Sequence, residues 1–239
     1  MLELHNIAKN YGKRVIIKEA TGTFKEGRIY GLAGYNGAGK TTLLKTISGV
    51  FRPDSGDLLY NGENIVDHAA FRASSFLMTE ELFFDPQSTI RKMREFYRGY
   101  YSSWDDRIYQ GMLELSGLDE SAQIAGFSKG MQRQTGLILA VSTAPRFLFL
   151  DETFDGLDVV RRVLLSKILR FYADIRKALI IVTSHYLNEL EKMVDEVFLI
   201  EDGVLTSPQT DGKSLEKYFT EGMEEYDEKI RNIFSGSVL

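Results

Sequence analysis

A nine-residue run, Gly34-Tyr35-Asn36-Gly37-Ala38-Gly39-Lys40-Thr41-Thr42, constrains this chain more than any other feature. It reads Gly, four residues, Gly-Lys-Thr, the spacing of a Walker A phosphate-binding loop. Glycines let consecutive backbone N–H groups turn inward into an anion nest that side chains would obstruct. A helix starting at Lys40 adds its own unpaired N–H groups and the positive end of its dipole. Residues 28–33 (RIYGLA) read as a buried strand, and residues 40–48 as a helix stopped by Gly49. Strand, loop and helix are the setting such a loop requires. The chemistry expected is nucleoside triphosphate binding, with Asn36, Gly37, Ala38, Gly39, Lys40, Thr41 and Thr42 around the phosphates. Lys40 is expected to reach the β- and γ-phosphates, and the Thr41 hydroxyl to ligate Mg²⁺.

The rest of the composition narrows the partners. A net charge of −5 gives no general pull toward nucleic acid or anionic membrane, and no nucleic-acid partner is expected. Zero cysteines exclude a disulfide framework and thiolate metal sites, and fit a reducing compartment. The N-terminal Met-Leu-Glu-Leu-His lacks the basic and apolar regions of a signal peptide. No apolar run approaches the ~20 residues that cross a bilayer. If this protein works at a membrane, another chain is expected to hold it there.

Along the 239 residues, alternating β-rich runs predict strands over 2–7, 15–17 and 21–24. A strand over 57–60 followed by Asn61-Gly62 predicts a hairpin, and 75–78 is a short buried strand. The period then changes: 89–101, 105–115 and 129–141 read as helices, a helical insertion between two α/β segments. After it come a strand over 146–150, a helix over 157–173, a strand over 178–183, a helix over 187–194 and a hairpin turning at Asp202-Gly203. Strands alternating with helices imply a mainly parallel sheet with helices on both faces. Leu215, Tyr218, Phe219, Met223, Tyr226, Ile230, Ile233 and Phe234 then repeat at helical spacing opposite acidic residues. That tail folds back on its own core or serves as a docking or dimer contact.

Hydrolysis needs carboxylates beside the phosphates. Phe147-Leu148-Phe149-Leu150-Asp151-Glu152 reads as a central strand whose C-terminal end delivers two acids where α/β sheets bind ligands. Asp151 is expected to hold Mg²⁺ and Glu152 to accept a proton from the attacking water. From here the chain resembles the ATP-binding cassette (ABC) ATPases. Asp151-Glu152-Thr153-Phe154-Asp155-Gly156-Leu157-Asp158 is similar to their fused Walker B and D-loop. Phe127-Ser128-Lys129-Gly130-Met131-Gln132-Arg133-Gln134 resembles their LSGGQ signature, Thr183-Ser184-His185 their switch-histidine loop, and Tyr11 the aromatic that stacks on adenine. These elements stand in family order over roughly residues 2–208.

The resemblance implies an α/β phosphate-loop NTPase core with an N-terminal antiparallel β subdomain and an inserted α-helical subdomain. As one domain over 1–239, the core would take 1–79 and 145–208, the signature subdomain 80–144 and the amphipathic tail 209–239. It implies ATP and Mg²⁺ as ligands and Glu152, His185 and Lys40 as the catalytic set. Ser128 and Gly130, at the start of the signature helix, would meet the γ-phosphate held by an opposite ATPase subunit, identical or not. Separate transmembrane permease subunits would hold the pair at the cytoplasmic face of the cell membrane. The Ser-Lys-Gly-Met variant of the signature resembles that of exporter ATPases. Leu82, Phe83, Phe84, Tyr97, Tyr100, Tyr101 and Trp104 are candidates for the permease-docking groove. Thr79-Glu80-Glu81 departs from the family, which has a glutamine near the metal at this point; either Thr79 or Glu80 occupies the place, neither is an amide, and a carboxylate there is expected to tighten Mg²⁺ while altering hydrolysis. Two other readings compete: a soluble ABC ATPase outside transport, which the lack of long coiled coils or a second cassette disfavours, and a regulatory nucleotide-binding protein without turnover.

Overall fold

The computed structural model describes residues 1–79, 81, 84–85, 87–184, 187–208 and 214–220. Two long strands, β1 (Leu2–Tyr11) and β2 (Arg14–Phe24), open the chain as an antiparallel pair. The two separate strands expected at 15–17 and 21–24 are one. The polar pair Lys18-Glu19 interrupts the alternation in sequence but not the strand, because both N–H groups reach the Gly203 carbonyl, at 2.8 and 3.2 Å. Then come β3 (Ile29–Ala33), the helix α1 (Lys40–Ile47), β4 (Ser55–Tyr60) and the short β5 (Glu63–Asn64). Asn61 and Gly62 both adopt positive φ, as the expected two-residue hairpin turn demands. A one-turn helix that the sequence did not announce, α2 (Ala69–Ala73), precedes β6 (Ser75–Met78).

Three helices follow: α3 (Ile90–Tyr100), α4 (Asp106–Ser116) and α5 (Lys129–Ser142). Each starts where a side chain accepts an orphan backbone N–H: Thr89 from Lys92, Asp105 from Arg107 and Ile108, Ser128 from Met131. Gly117, in the left-handed conformation, ends α4. The chain closes through β7 (Phe147–Leu150), α6 (Val159–Arg176), β8 (Leu179–Thr183), α7 (Leu187–Met193), the hairpin of β9 (Glu196–Glu201) and β10 (Val204–Thr206), and α8 (Leu215–Thr220). The remainder of the amphipathic tail lies outside the described residues.

Among the described residues, ten strands form one sheet in the order β5-β4-β1-β2-β10-β9-β3-β8-β7-β6. The half from β9 to β6 is parallel throughout, and β1, β2, β4 and β5 pair antiparallel. Every residue of β3, β7 and β8 is buried, which is why those segments read as unbroken apolar runs. Side chains alternate across the sheet. Phe147 and Phe149 pack with Leu43, Leu44, Ile47 and Phe71 from α1 and α2. Leu148 and Leu150 pack on the opposite face with Ile138, Val141, Leu165 and Leu169 from α5 and α6. Helices on both faces clamp the parallel half, so the C-terminal ends of β3, β7 and β8 are held in fixed relation. Among the described residues no helix is long and apolar enough to cross a membrane.

Candidate active site

The loop between β3 and α1 passes directly against β9. A Cβ on Gly34, whose φ is +154°, would lie 2.5 Å from the Ile200 carbonyl oxygen, so no side chain fits there. Gly39 caps α1, and its carbonyl accepts the Leu43 N–H at 2.8 Å. Lys40 is 6% exposed and folds back over its own loop. Its ammonium donates to Gly34 O at 2.9 Å and Tyr35 O at 3.3 Å. Asn36, Gly37, Gly39, Lys40, Thr41 and Thr42 line a cleft of about 490 Å³, with Tyr11 on its rim. Tyr11 is half exposed, stands edge-on to Phe51 at 5.9 Å and brings its hydroxyl within 3.4 Å of Thr42 Oγ1. Arg14 and Ile16 of β2 complete this wall, and neither carries a motif that could have announced it. Ala38 belongs to the adjoining cleft on the other side of the loop, which shares Asn36 and Gly37.

Both acids arrive from β7. Asp151 extends the ladder by one bond, its N–H donating to Met78 O at 2.8 Å. Glu152 then leaves strand geometry with a φ of +48°, a region that costs a non-glycine residue about 1–3 kcal/mol. This turn places Glu152 in the cleft rather than on the opposite face, where an ideal strand would send it. Glu152 Oε1 lies 3.9 Å from Lys40 Nζ, and both side chains are less than a tenth exposed. The loop lysine and the strand-end acid, 112 positions apart in sequence, thus form a buried ion pair across the cleft. Thr183, at the end of β8, bonds both acids: its hydroxyl donates to Asp151 Oδ1 at 2.8 Å and accepts the Glu152 N–H at 2.9 Å. The sequence offers no signal for that role, since threonine is an ordinary strand residue.

Other expected residues lie apart. Ser128 caps α5, its Oγ accepting the Met131 N–H at 3.3 Å, but it does not line the cleft of its own chain. Gly130 is buried against the D-loop: a Cβ there would sit 2.8 Å from Gly156 O. The Thr79 hydroxyl donates to Glu81 O at 2.7 Å, and its carbonyl accepts from Arg133 of α5 at 3.1 Å. His185, Glu80, Leu82 and Phe83 lie outside the described residues. Of the aromatic group, Trp104 belongs to the interior, packing on buried Tyr109 and donating to Asp106 Oδ1. Tyr97 and Tyr101 stack on one another and pack at a tilt against Phe76 of β6, and burial pushes both phenols above their ordinary range. Tyr100 is 75% exposed beside exposed Phe96.

Comparison with known proteins places this geometry in a family. The model of the ABC transporter family matches residues 17–155. The chain is 28% identical over 207 residues to the ABC transporter ATP-binding protein YtrB of Bacillus subtilis (strain 168), spanning 87% of this chain and 71% of that one. It is 32% identical over 210 residues to the Nod factor export ATP-binding protein I of Burkholderia orbicola (strain AU 1054), spanning 84% and 68%. A solved structure of the ATP binding subunit of an ABC transporter superimposes with a TM-score of 0.80 over 92% of this chain and 98% of its own, at 24% identity, a likeness of fold. The chain therefore belongs to the ABC transporter family, as one of its ATPase subunits.

Proposed function

We propose that this subunit binds MgATP in the cleft of Lys40 and Glu152, hydrolyses it with Glu152 as general base, and drives an exporter. The 3.9 Å approach of Lys40 to Glu152 carries the reading. A triphosphate entering the loop brings anionic oxygens that compete with Glu152 and the two loop carbonyls for the Lys40 ammonium. Charge-assisted bonds to phosphate are the stronger ones, so Lys40 turns to the nucleotide. The Glu152 carboxylate is then left to accept a proton from the attacking water, a contribution of about 10²–10⁴-fold. His185 would bond the γ-phosphate and help to hold that water. Tyr11 would stack on the adenine.

The donors suit magnesium. Thr41 offers a hydroxyl and Asp151 a buried carboxylate, both hard oxygen ligands. Among the described residues no group of three or more His, Cys, Asp or Glu could cage a metal, and Mg²⁺ commonly takes one or two protein ligands plus phosphate oxygens. When bound, the ion would neutralise charge on the phosphates. Asp151 and Thr41 would orient it.

Ser128 and Gly130 stand away from the cleft of their own chain, which supports the sandwich reading: the start of α5 from a second ATPase subunit covers the γ-phosphate. Membrane-spanning partner subunits would then hold the pair at the cytoplasmic face of the membrane, with exposed Phe96 and Tyr100 offering apolar surface beside β6. Export is supported by the Ser-Lys-Gly-Met signature and by the likeness to the Nod factor export ATP-binding protein I of Burkholderia orbicola. Glu152→Gln tests the chemistry. Hydrolysis should fall by about 10²-fold or more while MgATP binding persists and light scattering shows a longer-lived dimer. Undiminished turnover removes Glu152 as the base.

A further inference from the structure

The hydroxyl of Thr183 meets two groups that the chemistry depends on. Thr183 is fully buried at the end of β8. A hydroxyl offers one hydrogen and two lone pairs. Here the hydrogen goes to Asp151 Oδ1 at 2.8 Å and a lone pair takes the Glu152 N–H at 2.9 Å. The need for it follows from the backbone. β7 and β8 are in register through Leu150 and Val182, where the parallel ladder stops. Glu152 turns away just past this point with a φ of +48°, and its N–H, on the β8 side, meets the Thr183 hydroxyl instead of a main-chain carbonyl. The Thr183 side chain stands in for the missing main-chain acceptor. It holds the strained turn that brings Glu152 to Lys40, and it fixes the oxygen of Asp151 from the β8 side while Met78 O holds the Asp151 N–H from the β6 side.

We propose that Thr183 is a positioning residue for hydrolysis: one buried hydroxyl sets both the carboxylate of Asp151 and the backbone turn of Glu152. The proposal rests on the reading of Asp151 as metal ligand and Glu152 as base. Valine has nearly the shape of threonine without the hydroxyl, and serine has the hydroxyl without the methyl. In Thr183→Val the base and the metal ligand lose their alignment, whereas the phosphate loop is untouched. Displacement of a reacting group by about 1 Å costs on the order of 10²-fold, so kcat should fall about 10- to 100-fold. Affinity for ATP without metal should stay within about threefold, since the phosphate loop itself is unchanged. Binding of Mn²⁺ in place of Mg²⁺, followed by electron paramagnetic resonance with ATP present, should weaken in Thr183→Val. Thr183→Ser should recover both turnover and Mn²⁺ binding. Thr183→Val with wild-type kcat and Mn²⁺ affinity overturns the proposal. So does a loss of melting temperature and ATP binding in Thr183→Val that serine does not reverse, because that is a strand-end lock and nothing more. Wild-type protein that takes up no ATP overturns the parent reading instead, a result distinguishable before any variant is made.

Discussion

The three hydrogens of the Lys40 ammonium have oxygen on every side: two loop carbonyls within 3.3 Å and the Glu152 carboxylate at 3.9 Å. Almost no solvent reaches it, so its charge is directed wholly at these groups and at whatever occupies the loop. Replacing Lys40 by alanine removes hydrogen bonds between charged partners, each worth about 1.5–3 kcal/mol. Loss of about 2–3 kcal/mol corresponds to a roughly 30- to 150-fold weaker Kd for MgATP. Titration with a fluorescent ATP analogue measures it, with circular dichroism confirming an unchanged fold. Equal affinity in Lys40→Ala would exclude this loop as the phosphate site. The residue next to β9 sets the tolerance of the loop: with the Gly34 Cβ position 2.5 Å from Ile200 O, the loop can be moved only by moving the sheet.

Between elements, the most telling contact fastens the start of β3 to the segment before β9. The Asp195 carboxylate accepts the Ile29 N–H at 2.8 Å and two bonds from Arg170 at 3.0 Å, while the Asp195 N–H donates to Ile29 O at 2.7 Å. Burial alone would raise the pKa of Asp195, but the Ile29 amide and Arg170 outweigh it and hold the carboxyl below its usual value. A depressed folded-state pKa contributes stability that is complete above the unfolded value near 3.9 and is lost as pH falls through the folded one. Asp195→Asn should therefore lower stability at neutral pH by about 1–2 kcal/mol and flatten the acid limb below about pH 4. Urea unfolding at pH 7 and pH 3.5 checks this; an equal loss at both pH values would mean the charge contributes nothing. This tie joins residues 166 positions apart, and nothing local signals it. The same limit separates what could be read in the chain from what could not. Capped, periodic elements such as α4, between Asp105 and Gly117, were legible because their physics is local. So were the strand and helix that flank the Lys40 loop and the strand that ends at the acid pair. α2 was not, because five residues cannot display a helical period and its cap is His68, whose Nδ1 accepts the Phe71 N–H. The left-handed turn at Glu152 was hidden too, since no glycine marks it. Its partner Thr183 comes from another strand.

At the scale of the whole molecule, the proposed two-subunit site needs two groups of residues that do not meet within one chain. Lys40 and Glu152 face one cleft. Ser128 caps α5 outside it, while Gly130 packs on the Gly156 carbonyl of the D-loop and so ties the start of α5 to the segment that follows Glu152. A rigid tie of this kind cannot swing the cap of α5 onto its own phosphate loop without breaking the buried contact. A second cassette can supply it, and two-fold pairing gives two composite sites, each with one chain's loop and the other's cap. Complementation then follows. Lys40→Ala destroys the loop half and leaves the cap; Ser128→Arg blocks the cap half and leaves the loop. Each variant alone has no intact site. In a mixed pair, the loop of the Ser128→Arg chain faces the native cap of the Lys40→Ala chain, so one of its two sites is whole. Random pairing at equal amounts makes half of all pairs mixed, which limits the recovered activity to about a quarter of wild type. Mixing the two inactive proteins with ATP should produce measurable phosphate release, and the yield should rise with protein concentration as pairing does. If every site lay within a single chain, no mixture could exceed its components, and a flat result across the mixing ratio would sink the two-subunit account.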